Sequence, residues 1–348
     1  MPAARIMRHL QKHTRLTLKG NPMLKRVLSL ILALLMLLTA TAVFAREEKL
    51  NVITLNFPAF DFTRQVAGDL ANVTLLLPPG VDAHSFEPTP RDMIALLEAD
   101  LLVYNGGIGD AWVKQLLASL GDNAPRTLVM MDLVDTVAEE LVEGMEDVPH
   151  AHDHDDDDHE NHDGHDHEHE DERELDEHVW TSPLNAILIA QAIAETLMEM
   201  DPANETAYEE NFVAYEAKLR DLDARFRELV NSAQRRTIVL GDRFPMRYFT
   251  NEYGLSYSAA FPGCSAATEP SAKTIAFLME SIKKESIPVV FHIELSNQKA
   301  SKLIAEETGA KSLLLHSAHN VSQQDFDSGI TYLDIMEENL TNLKEALN

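Results

Sequence analysis

The stretch DPANETAYEENFVAYEAKLRDLDARFRELVNS, residues 201–232, decides how the rest of the chain is read. Tyr208, Phe212, Tyr215, Leu219, Leu222, Phe226 and Leu229 follow one another at alternating spacings of four and three. That period puts all of them on one stripe of a helix. Asp201 is placed to cap the helix and Pro202 to start it. No Gly or Pro follows Pro202 before Gly241. The spacing predicts a helix over 202–232, about 46 Å long at 1.5 Å per residue. Strand-rich sequence lies on both sides, so the helix reads as a stiff connector.

Upstream, LNVITLNF (50–57), VTLLLP (73–78), DLLVYN (100–105) and TLVMM (127–131) read as strands. Continuous apolar runs suit a sheet covered on both faces. Thr89, Pro90 and Asp92 form a helix start. Downstream, TIVLGD (237–242), SYSAAF (256–261), IPVVFHIE (287–294) and SLLLH (312–316) read as strands. Residues 270–286, 297–308 and 331–347 read as helices. The expected fold class is α/β, two β/α lobes with mostly parallel sheets joined by one long rigid helix. The N-terminal lobe is expected over 46–200, the connector over 201–234 and the C-terminal lobe over 235–348.

The chain has 348 residues, 29 Lys plus Arg against 57 Asp plus Glu, and a formal net charge of −28. Such an acidic chain is a poor partner for nucleic acid, whose phosphates need clustered cations. Its single cysteine, Cys264, excludes an intramolecular disulfide and a CxxC redox pair. Charge is unevenly spread. Residues 1–45 carry seven Lys or Arg and no acid, and Val27–Val43 is an uncharged run ending in Val43-Phe44-Ala45. This reads as a secretory signal cleaved after Ala45, leaving no stable membrane insertion. Cys264 lies too deep to be a lipobox cysteine. The mature protein is expected to be soluble, periplasmic and monomeric.

The segment 146–177 holds 17 acids and one Arg. It also holds His150, His152, His154, His159, His162, His165, His167 and His169. Only Val148, Ala151 and Leu175 are aliphatic, too few to offset ordering entropy, so a disordered loop is expected. Imidazoles among carboxylates suit borderline metals such as zinc. A flexible tract of this kind makes a weak, multi-site collector.

The remaining histidines of the mature chain are His84, His178, His292, His316 and His319. His84 sits in PPGVDAHSFEPTP (78–90), a loop after a strand, where β/α folds place ligands. His292 reads as a satisfied core histidine beside Phe291 and Ile293. Cys264 reads as a buried small residue and an outside candidate for a metal. Trp112 and Trp180 read as packing residues.

The order of these motifs resembles the metal-binding subunits of bacterial zinc and manganese ABC importers. The resemblance rests on Pro78-Pro79-Gly80 through His84, Phe86-Glu87-Pro88, and Ala99-Asp100-Leu101-Leu102-Val103-Tyr104-Asn105-Gly106. It continues in Glu177-His178-Val179-Trp180, Asp201-Pro202, Glu269-Pro270-Ser271, Glu294, Ala305–Ala310 and Tyr332-Leu333. It covers roughly 50–348, and zinc-binding members often carry a His-rich loop. The resemblance implies a cleft between the lobes that captures a metal ion, with an ABC permease and its ATPase as partners. Ligands implied from the N-terminal lobe are His84 and His178. The C-terminal lobe departs from the pattern. Asp242 stands where zinc members place a histidine, and His316 where a carboxylate is expected. The two changes are reciprocal, so the expected site is His84, His178, Asp242 and His316. Three imidazoles and one carboxylate suit tetrahedral Zn(II), and four protein ligands make a closed binding site. His319, three residues on, competes for the role of His316. Glu294 joins Asp242 as an oxygen donor if the cargo is Mn(II). No HExxH or GxSxG supports a hydrolase. A zinc buffer or adhesin acting through the loop alone is the remaining alternative.

Overall fold

The computed structural model describes residues 49–82, 86–145, 174–265 and 269–348. The expected signal segment and all but the last four residues of the expected disordered loop lie outside them. Among the described residues no helix is long and apolar enough to cross a membrane.

The first sheet has four parallel strands, β1 (Asn51–Thr54), β2 (Asn72–Leu75), β3 (Leu101–Tyr104) and β4 (Arg126–Val129), in the order β2-β1-β3-β4. The second has β5 (Thr237–Phe244), β6 (Ser256–Pro262), β7 (Val289–His292) and β8 (Lys311–Leu314), in the equivalent order β6-β5-β7-β8. Every pairing within both sheets is parallel. The first-half helices are α1 (Phe57–Ala67), α2 (Pro90–Leu97), α3 (Ala111–Leu120) and α4 (Pro183–Met200). After the long helix α5 (Glu205–Ser232) come α6 (Arg247–Tyr253), α7 (Ala272–Glu285), α8 (Lys299–Thr308), α9 (Gln323–Ser328) and α10 (Tyr332–Leu347).

The stripe read on α5 is its buried face. Tyr208, Tyr215, Leu219, Leu222, Phe226 and Leu229 are buried, and Phe212 packs against them. This face meets α4 and α1 from one half and α10 and α6 from the other. One hydrophobic cluster therefore runs from Val52 and Phe62 through α5 to Leu240 and Phe291.

The helix begins later than its sequence suggests. Pro202–Asn204 form a 3-10 turn, and Asp201 Oδ2 accepts from the Asn204 side chain and from the Tyr208 hydroxyl instead of capping the backbone. The strand expected over 50–57 is shorter for a similar reason. Asn56 accepts the Ala59 amide at 3.0 Å and Pro58 follows, so α1 starts at Phe57. Helix α4 has no counterpart in the sequence reading. Its exposed stripe is narrow, Leu188, Gln191, Glu195 and Glu199, and opens on a leucine, so its first ten residues read as a nearly continuous apolar run.

The halves are tied by polar bonds as well as by α5. Asn320 Nδ2 donates to Pro78 O and Val81 O, each at 2.8 Å. Gly80 N donates to Val321 O, and Phe57 N to His319 O. Asp61 accepts the Tyr332 amide, and the Tyr332 hydroxyl donates to Trp180 O at 2.8 Å. Truncating Asn320 to Ala leaves two carbonyls without this donor. Urea unfolding of Asn320→Ala is expected to show a loss of about 1–3 kcal/mol.

Candidate metal-binding site

His178 is placed by a short antiparallel pairing. Glu139 N donates to Glu174 O and Asp176 N to Val137 O, around the bridge Ala138–Leu175. The second strand of that pairing runs directly into the site. Asp176 Oδ1 accepts the His178 amide at 2.8 Å and lies 3.2 Å from His178 Nδ1. A carboxylate on Nδ1 fixes the imidazole's orientation, so an incoming cation meets Nε2. Burial works against the imidazolium, but Asp176, aided by Glu177 and Glu139, raises the His178 pKa above its ordinary value.

The next residue back, Glu177, lies against a glycine-rich turn after β3. Its carboxylate accepts the Ile108 and Gly109 amides. A Cβ on Gly107 would come within 2.4 Å of Glu177 Oε1, and Gly107 has φ +81°, so this position requires glycine. Burial raises the Glu177 pKa. Asp110 on the same turn is pushed up to about 7, by burial first and by repulsion from Glu177.

The opposing wall is the segment 316–320 after β8. Glu294 organises it, accepting the Ser317 amide at 2.8 Å, the Ser317 hydroxyl and the His319 amide. Trp180 Nε1 donates to Ser317 O at 2.7 Å, joining this segment to the first half. Ala318 sits at φ +62°, a tight reversal that separates the two histidines.

The outcome for the expected ligands is mixed. His178 and His319 stand edge to face, 5.4 Å between ring centroids, and Trp180 packs on both. They line one cavity together with Asp82, Arg243, Glu294, Ser317 and Asn320. His316 and Asp242 are not among the residues lining it. His316 is buried, its Nδ1 accepts the Ala318 amide at 2.9 Å, and its backbone is clamped by Asn339. Asp242 bonds Ser296 and the Arg243 and Ile293 amides, and burial raises its pKa. His84 lies outside the described residues, as do the eight loop histidines. Its described neighbours Asp82 and Phe86 line two cavities that share His319. Among the described residues no group of three or more His, Cys, Asp or Glu is spaced to hold a metal ion.

His292 bonds Ser312 through Nδ1, as a core histidine does. Cys264 has its thiol pKa pushed well up by burial and by Glu139, Asp176 and Glu177, so it is a poor thiolate donor. Sequence reasoning missed Asp176 and Arg243. Asp176 stands two residues before His178, the one signal that could have found it.

Residues 52–346 match the family model described as zinc-uptake complex component A, periplasmic. The chain is 33% identical over 309 residues to the high-affinity zinc uptake system protein ZnuA of Bacillus subtilis, covering 87% of this chain and 89% of that one. It is 32% identical over 326 residues to the zinc-binding lipoprotein AdcA of Streptococcus pneumoniae, where it spans 60% of the relative's length and 92% of its own. Among solved structures it resembles the Zn(II)-bound ZnuA-like domain of S. pneumoniae AdcA, with a TM-score of 0.68 and 30% identity, covering 86% of this chain and 99% of that one. It also resembles the metal-dependent lipoprotein YcdH of B. subtilis, with a TM-score of 0.69, 30% identity, and coverage of 86% and 100%. Two parallel sheets in the same strand order, joined through one long helix, are the frame these proteins share, and the chain belongs to the ZnuA family of extracytoplasmic binding proteins for metal uptake, which carry cargo and are not enzymes.

Proposed function

We propose that this chain captures Zn(II) in the cavity between the loop ends of its two sheets and delivers it to an ABC permease driven by its ATPase. The observation that carries the reading is the His178–His319 pair, with His178 Nδ1 held by Asp176. Two imidazoles facing one cavity are soft enough to favour zinc over oxygen-seeking Mn(II). We assign His84, His178 and His319 as the imidazole donors. His84 is included because the residues flanking it line the cavities beside His319. This keeps the expected count of three imidazoles, a set Zn(II) accepts in a tetrahedron with one further ligand. It sets aside His316 and Asp242, which do not line this cavity; His316 Nδ1 accepts a backbone amide, which leaves the proton on Nε2, and the Asp242 carboxyl bonds Ser296. The His-rich loop acts as an auxiliary low-affinity collector. The paired strands at 137–139 and 174–176 support this, because they join the base of the insertion to His178 within a few residues. Export by cleavage after Ala45, giving a soluble periplasmic receptor, rests on the sequence of residues 1–45 alone.

The test is a competitive zinc titration of the mature protein lacking residues 146–173. One tight site is expected. His319→Ala should weaken it by more than the roughly 10–100-fold that loss of an outer-shell partner costs. His316→Ala should leave it within about tenfold of the parent, the lower end of what losing an outer-shell partner costs. The reverse ranking would restore His316 as the ligand. No tight site in the deletion protein would make the loop the binder and end the receptor reading.

Proton competition gives a second test. A raised His178 pKa means that zinc must displace a proton at mildly acid pH, so affinity should fall steadily from pH 7.5 to 5.5. Asp176→Asn removes the carboxylate that raises that pKa. It should shift the onset of acid release to lower pH while weakening zinc at pH 7.5 about 10–100-fold through lost orientation. An unchanged pH profile in Asp176→Asn would show that Asp176 does not govern the ligand.

A further inference from the structure

A cavity that collects a dication has a permanent cation in its wall. Arg243 lines it, with its side chain only 12% exposed. The Arg243 position is set by a bulge in β5. Pairing with β6 skips between Leu240 and Arg243, and a Cβ on Gly241 would come 2.9 Å from the Ser301 backbone. A bulge of this kind re-aims side chains at the end of a strand.

The guanidinium has defined partners. Its Nη2 donates to Asp82 Oδ2 at 2.8 Å and its Nη1 to Ser265 O at 3.3 Å. Asp82 follows β2 in the first sheet's half, whereas Arg243 lies on β5 in the second. The ion pair therefore crosses the cleft. Asp82 lines the same cavity as His178 and His319. A carboxylate in that position is a ready oxygen donor for a hard cation. Arg243 occupies it instead, and a guanidinium with a fixed carboxylate partner holds its geometry better than an ammonium does.

We propose that Arg243 is a specificity-determining residue. By binding Asp82 across the cleft, it keeps this carboxylate out of the metal's donor set and leaves imidazole dominant. This rests on the reading of the chain as a zinc receptor and adds the device that disfavours manganese. Asp82 in turn neutralises Arg243, so the cavity is not left with an unpaired positive charge facing its cargo.

The experiment measures Zn(II) alone and Mn(II) alone, by chelator competition, on the full mature chain. The proteins are wild type, Arg243→Gln, Asp82→Asn, the double variant and Arg243→Lys. Arg243→Gln should bind Mn(II) more tightly and reduce the Zn/Mn affinity ratio about tenfold or more, because an oxygen donor is released. The double variant should recover the wild-type ratio to within about threefold, since that donor is gone again. Asp82→Asn should weaken both metals by similar factors. Arg243→Lys retains a charge for Asp82 and should keep most of the wild-type ratio, which covers the case in which Arg243→Gln fails to fold. Equal changes for both metals in Arg243→Gln, or a double variant no different from it, would overturn the proposal. Wild type with no tight zinc site would instead overturn the receptor reading, and this inference with it.

Discussion

The indole N–H of Trp180 donates to the carbonyl of Ser317, and the site is arranged around that bond. Trp180 belongs to the first half and is fully buried. Ser317 belongs to the second, in the turn that carries His316 and His319. The Tyr332 hydroxyl closes the arrangement from the start of α10 by donating to Trp180 O. A buried indole with its N–H and carbonyl both satisfied is a rigid spacer. It sets how far His178, two residues upstream, stands from His319, on which Trp180 also packs.

The electrostatics around that spacer are directed. Carboxylates stand behind the imidazoles and face their backbone or Nδ1 side: Asp176 behind His178, and Glu294 behind the turn of His319. Each is stabilised by protein donors, so neither needs the metal to remain ordered. Charge of the opposite sign is placed across the cleft on Arg243, where Asp82 answers it. Acidic groups thus stand close behind a cavity whose lining includes two imidazoles.

The extended interior ties this geometry to stability. The cluster that packs against α5 includes residues of both sheets, so the helix is a shared wall of the core as well as a link in the chain. Hydrogen bonds from Asn320, Gly80 and Phe57 add contacts at the loop ends. A motion that opened the halves widely would break these bonds and expose part of the cluster at about 25 cal/mol for each Å² of apolar surface. Entry and exit of cargo are therefore best served by local movement at the cavity's rim.

The sequence by itself determined the long amphipathic helix, because a 4-3 stripe has only one regular structure that buries it. It determined eight strands in two groups and their parallel arrangement, because the apolar runs recur between helical patterns. For the metal it offered His84, His178, Asp242 and His316, with His319 only as a competitor for the place of His316. Helix α4 was hidden because its exposed stripe is narrow and opens on Leu188, which leaves a nearly continuous apolar run at its start. Which of His316 and His319 faces the cavity was likewise decided only in three dimensions. Both follow β8 within five residues, and only the positive φ of Ala318, the Glu294 bonds and the Trp180–Ser317 bond turn one inward to the core and the other to the cavity. The Asp82–Arg243 pair joins residues 161 positions apart. Linear spacing carries no signal for such a contact, since it exists only after both sheets have folded and the bulge in β5 has aimed the guanidinium across the cleft.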